Sequence, residues 1–179
     1  MERKYAEFAA TKACELLAID SPSGYTRKAA TWVKEAFEAL GFAAKITTKG
    51  GVLADLGGAD KDDALFLQAH TDTLGAMVAE IKANGRLKLT PLGGLRAENA
   101  ETENVRVHTR TGKIIEGTVQ LCNASVHVNG EYGEAKRTFD TVEAVLDEDV
   151  KTAEETRALG TEVGDIVCLE PRTRITSSG

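Results

Sequence analysis

Apolar residues recur at Tyr5, Phe8, Ala9, Ala13, Leu16 and Leu17, the three-and-four spacing of one helical face. The pattern breaks at Asp20-Ser21-Pro22-Ser23-Gly24-Tyr25, where proline and glycine force a turn. A second stripe, Ala29, Trp32, Val33, Ala36, Phe37 and Leu40, predicts another helix, with Gly41 placed to end it in a left-handed cap. Trp32 lies on this stripe and reads as a core residue rather than a ligand-stacking one. Two β-prone runs follow, residues 43–48 and 52–56, joined by Lys49-Gly50-Gly51, a hairpin signal. Leu65-Phe66-Leu67-Gln68-Ala69-His70-Thr71-Asp72 then lies between the polar turn Asp60-Lys61-Asp62-Asp63 and Gly75. Its mostly apolar start and abrupt polar end predict a buried strand.

Beyond Asp72 the period shortens. Residues 77–81 and 86–90 flank Asn84-Gly85, which predicts a two-residue hairpin turn. Residues 105–109 and 113–119 alternate on either side of Thr111-Gly112, and residues 125–128 and 142–146 read as further short strands. Many short strands with glycine turns indicate a small barrel or sandwich. Thr152-Ala153-Glu154-Glu155 has the capping-box spelling of a short helix that ends near Leu159-Gly160. A turn and a strand stopped by Pro171 close the pattern. The expected fold class is α/β: a partial α/β sheet from residues 1–74 and 164–179, with an all-β, barrel-like domain inserted at 75–163.

The composition, 42% hydrophobic and 28% charged over 179 residues, is that of a globular chain and argues against disorder. A formal net charge of −6 without a dense Lys/Arg block speaks against nucleic acid and anionic membrane as partners. No apolar run approaches a membrane span, and Met1-Glu2-Arg3-Lys4 leads into an amphipathic helix rather than a signal-peptide core. Cys14, Cys122 and Cys168 are odd in number and widely spaced, and they read as buried free thiols in a reducing cytoplasm. No CxxC pair suggests a cysteine zinc site.

Candidate chemistry concentrates at His70 and Asp72. Residues i and i+2 of an extended segment share a face, so imidazole and carboxylate approach the same point at a strand's carboxyl end. Other acidic and histidine positions have plainer readings. Glu154-Glu155 completes a helix cap. Asp62-Asp63 decorates a turn. His108 alternates within a strand, as surface or core, and His127 sits in another strand-like piece.

Five pieces stand in order: Ser21-Pro22-Ser23-Gly24-Tyr25, Ala69-His70-Thr71-Asp72-Thr73-Leu74-Gly75-Ala76-Met77-Val78, Asn84-Gly85, Leu92-Gly93-Gly94, and Leu159-Gly160 followed by Val163-Gly164-Asp165. Together they resemble the N-terminal half of the tetrahedral-assembly metallo-aminopeptidases, the glutamyl and deblocking aminopeptidase group. The resemblance implies a zinc-exopeptidase-like fold and hydrolysis of N-terminal residues from peptides through two divalent metal ions, zinc or cobalt. It implies that His70 binds one metal and that Asp72, the family's catalytic aspartate, orients the histidine's surroundings. It also implies that the inserted β domain dimerises and builds a homo-oligomer. Thr73 stands where the family often has glutamate, a spelling shared with co-catalytic metallo-dipeptidases, whose extra domain comes later in the chain. The remaining metal ligands and the general base of the family fall beyond residue 179, so the expectation is an N-terminal portion inactive alone. The alternative class is a non-catalytic assembly module.

Overall fold

The computed structural model describes residues 3–60 and 62–177. Met1, Glu2, Lys61, Ser178 and Gly179, which the sequence reading assigns to the first domain, lie outside the described residues. The chain divides into two units, Leu74–Glu170 and the flanking Met1–Thr73 with Pro171–Gly179.

The flanking unit contains α1 (Arg3–Leu17), α2 (Arg27–Ala39), β1 (Ala44–Ile46) and β2 (Val52–Ala54). Gly41 ends α2 as its spelling predicts: at φ +88° it donates its N–H to the Glu38 carbonyl (2.9 Å), and Phe42 donates to Phe37 (3.1 Å). That is a full Schellman cap. Strands β1 and β2 pair antiparallel in the register Ala44↔Ala54, Lys45↔Leu53 and Ile46↔Val52. Burial in this unit is thin. Ala29 and Ala30 are the buried residues of α2, Trp32 is half-buried under the Lys12 ammonium, and α1 buries none of its stripe.

The predicted buried strand at 65–72 is the main departure. Residues 64–72 form no strand, and Leu65, Phe66 and Leu67 are 84%, 70% and 74% exposed. A strand exists only where a neighbour completes its ladder, and the described residues pair with this segment only at the parallel bridge Pro22↔Thr73. The apolar pattern is present, but the partner strands are not.

The Leu74–Glu170 unit is a closed antiparallel barrel. Its strands are β3 (Gly75–Ile81), β4 (Leu87–Leu92), β5 (Asn104–His108), β6 (Ile114–Leu121), β7 (Val142–Leu146) and β8 (Ile166–Leu169), with short helices α3 (Ala97–Ala100) and α4 (Ala153–Ala158). They close in the order β3-β4-β7-β6-β5-β8. Strand β8 pairs with both β3 and β5, so the barrel takes in residues 164–170, which the sequence reading assigns to the other domain. Alternate residues point inward: Val105 and Val107 on β5, Ile115 and Val119 on β6, all at most 2% exposed. Inside, they meet Val78, Leu87, Leu89, Val142 and Val167 in one cluster.

Three hairpins share one turn. At Thr47, Lys82 and Thr109 the N–H donates to the carbonyl four residues on (2.8, 2.8 and 2.9 Å). The glycine three residues on, Gly50, Gly85 or Gly112, donates back at 2.9 to 3.0 Å with φ between +80° and +86°. These are three-residue loops with a bulged glycine, not the two-residue turn expected of Asn84-Gly85, because only the glycine adopts positive φ. Residues 125–128 are a turn rather than a strand, since the N–H groups of Val128 and Asn129 both bend back to the Ser125 carbonyl (3.2 and 2.9 Å). The capping box of α4 is formed, with Glu155 N–H on Thr152 Oγ1 (3.2 Å) and Thr152 N–H on Glu155 (3.1 Å).

One seam of the barrel is narrow, β4 meeting β7 through the single pair Leu87↔Ala144. Beside it Glu143, 2% exposed, accepts from Lys82 Nζ (2.8 Å) and Arg86 Nη1 (2.6 Å), which bound the β3–β4 turn. Burial pushes the Glu143 carboxyl up, but the Lys82 and Arg86 hydrogen bonds outweigh it and leave its pKa below the ordinary value. A depressed folded-state pKa contributes stability that is present above the unfolded value, about 4.3, and is lost as pH falls through the lower folded value. The expected result is that Glu143→Gln lowers stability by about 1–2 kcal/mol at neutral pH, allowing for the partly exposed cations. Urea midpoints of variant and wild type should converge in acid; a gap independent of pH would refute the clamp.

Candidate metal centre

The segment carrying His70 and Asp72 is held from one side by the turn before α2. Pro22 accepts the N–H of Tyr25 (2.8 Å), and Gly24 takes φ +87°, so Ser21-Pro22-Ser23 runs alongside Thr71-Asp72-Thr73. Ser21, fully buried, donates its Oγ to the Thr71 carbonyl (2.9 Å) and accepts the Thr73 N–H (2.8 Å). Ser23 Oγ donates to Asp72 Oδ2 at 2.6 Å.

His70 is 86% exposed at its side chain, yet its orientation is defined. Nδ1 lies 3.1 Å from the Asp72 carbonyl oxygen and 3.3 Å from Asp72 Oδ1. Both neighbours are acceptors only, so Nδ1 carries the proton and the neutral ring keeps its lone pair on Nε2. The Ser23 hydrogen bond holds the Asp72 carboxyl below its ordinary pKa, outweighing the opposite push from desolvation. A metal-ligating imidazole ordinarily has an acceptor behind its other nitrogen, and Asp72 supplies one to this largely exposed ring. Among the described residues, no third histidine, cysteine or carboxylate joins His70 and Asp72 in a cluster of donor atoms. The donor set fits one corner of a metal site.

The other positions fall as follows. Glu154 and Glu155 sit in the first turn of α4, and Glu155 serves the cap. Asp62 is exposed in a turn, its N–H bonded to Asp60 Oδ1 (2.8 Å). His108 is buried on β5, and His127 is exposed between β6 and β7. Of the three thiols read as buried, Cys168 is, Cys14 is partly so, and Cys122 is exposed just past the end of β6. Sequence reasoning missed Ser23 as part of the site. Its signal was the Ser-Pro-Ser-Gly turn, read as a turn and as a piece of the resemblance but given no role at the site.

A closed six-strand barrel inserted behind a His-x-Asp segment defines the class, and comparison places it. The chain belongs to the family described as M42 glutamyl aminopeptidase, whose sequence model matches residues 50–179. It is 41% identical over 165 residues to the Bacillus subtilis protein named "Putative aminopeptidase YhfE", covering 92% of this chain and 48% of that protein. Among solved structures, aminopeptidase APDkam598 from the archaeon Desulfurococcus kamchatkensis superposes with a TM-score of 0.78 at 23% identity, over 93% of this chain and 44% of that one. The TET1 peptidase of Pyrococcus horikoshii, described as assembling into a tetrahedron or a large octahedral shell, gives 0.71 at 19% identity over 91% and 46%. The chain spans about half the length of the curated relatives it matches, 48% and 46% for two of them. The mixed α/β fold with its barrel is therefore the fold of this family.

Proposed function

We propose that the chain is the N-terminal portion of a metal-dependent aminopeptidase that removes N-terminal residues from peptides. The observation that carries this reading is the engagement of His70 Nδ1 by Asp72, which leaves Nε2 as the donor nitrogen. On this reading His70 holds one of two divalent ions, zinc or cobalt, and Asp72 fixes the ring that does so. Bound metal would supply the acidity that makes a water nucleophilic near neutral pH. Zinc takes four ligands, so the other donors and the general base belong to the part of the relatives' length that these residues do not span. Family membership, and the length shared with aminopeptidase relatives, support the assignment.

The expected outcome for the 179 residues alone is no turnover of aminoacyl-nitroanilides with added zinc or cobalt. Turnover abolished by a chelator would overturn the claim that the site is incomplete. The barrel is proposed as the pairing domain of a homo-oligomer, which its closed strand order and its own buried core favour. As a non-catalytic assembly module the chain would still self-associate, and a strictly monomeric sedimentation profile at high concentration would remove that role. The proposed setting is the cytoplasm, with peptide as partner and neither nucleic acid nor membrane. Among the described residues no helix is long and apolar enough to cross a membrane.

A further inference from the structure

We propose that Ser23 is a positioning residue of this site, setting through Asp72 which nitrogen of His70 carries the proton. The functional meaning rests on His70 being a metal ligand; the positioning itself does not. The bonds of the Ser21-Pro22-Ser23 strap divide into two kinds. Ser21 makes two of them, to the Thr71 carbonyl (2.9 Å) and from the Thr73 N–H (2.8 Å), and these join main chain on either side of Asp72. Ser23 adds a bond of another kind, 2.6 Å to Asp72 Oδ2, which touches only the carboxylate.

A carboxylate at a partly exposed position turns about its side-chain torsions unless one oxygen is tied down. With Oδ2 tied to Ser23, Oδ1 stays 3.3 Å from His70 Nδ1. Oδ1 then joins the Asp72 carbonyl (3.1 Å) as a second acceptor facing that nitrogen. Two acceptors on Nδ1 favour the tautomer with the proton there and the lone pair on Nε2. Without Ser23 the carbonyl remains and the carboxylate is released, so the preference weakens without vanishing.

The test is made on the metal-free, ¹⁵N-labelled chain in alkaline buffer, where long-range proton–nitrogen spectra report which ring nitrogen is protonated. The ratio of the Nδ1–H to the Nε2–H form is expected to fall about fivefold in Ser23→Ala. Ser23→Thr, which keeps the hydroxyl, should restore it. Ser21→Ala, which loses a strap bond but leaves the carboxylate anchored, should keep the wild-type ratio. Exchange protection of the Thr73 amide should survive in Ser23→Ala. The proposal is overturned if Ser23→Ala keeps the wild-type ratio or if Ser21→Ala shifts it equally. Loss of Thr73 protection in Ser23→Ala would also overturn it, since Ser23 would then act by holding the strap together. Zinc or cobalt added to the wild-type protein extended to the length of its aminopeptidase relatives, where the other proposed ligands are present, is a separate arm. If the His70 Nε2 resonance does not respond, the metal reading fails while the tautomer result stands.

Discussion

Replacing His70 with alanine, in a chain extended to the length of its aminopeptidase relatives, is expected to lower kcat/KM on aminoacyl-nitroanilides on the order of a thousandfold, about 4 kcal/mol of transition-state stabilisation. The size follows from what the imidazole is proposed to hold. A divalent ion lowers the pKa of its water by several units, and an ion short of a ligand is bound weakly or displaced. Asp72→Asn should cost less, about 10- to 100-fold, because the amide still fills the space and the main-chain carbonyl still accepts from Nδ1. Metal content measured alongside the kinetics separates a lost ion from a misaligned one. Full activity in His70→Ala would remove this residue from the site.

Gly117→Ala should be the most damaging single-methyl change in the barrel. A Cβ on Gly117 would stand 2.5 Å from the Val145 carbonyl oxygen and 3.2 Å from Leu146 Cα, both backbone atoms that no rotamer change can move. Gly117 pairs with Val105 on one side and Leu146 on the other, so relief by bending β6 strains two ladders at once. The expected loss is about 3 kcal/mol, which lowers the melting temperature of a unit this size by roughly 12–20 °C. Calorimetry measures it directly. By contrast, a Cβ on Gly94 meets nothing within 4 Å, and Gly94→Ala should leave the melting temperature nearly unchanged.

Local features were legible in the residues, and features that depend on distant partners were not. Gly41, the three glycine hairpins and the Thr152–Glu155 cap are decided within a few positions, and each forms where its spelling places it. The barrel was legible as a kind because its strands are short, alternating and punctuated by turns. Its closure was not, since β8 reaches β3 and β5 across some ninety and sixty residues. The run Leu65-Phe66-Leu67 shows the limit from the other side. Its apolar pattern implies neighbours, and with no strand partner among the described residues it stays unpaired and solvated, a surface prone to association. At the site, the two-residue spacing of His70 and Asp72 made them candidates for one point, but the contact between them was not legible. The part of Ser23, forty-nine residues away, rests on a turn that gives no chemical hint of what its hydroxyl meets.

The pairing of Gly75 with Cys168 carries one more implication. The barrel's first and last strands are ladder neighbours, so the chain leaves it within about one strand spacing of where it entered. To the polypeptide on either side, the whole unit is therefore a very short loop, and the entropy of holding its ends together is already met by the barrel's own hydrogen bonds. Such a cassette can be carried between two segments of a host fold at little cost to the host, and strands can be altered around its circumference without moving the two points at which it is spliced in.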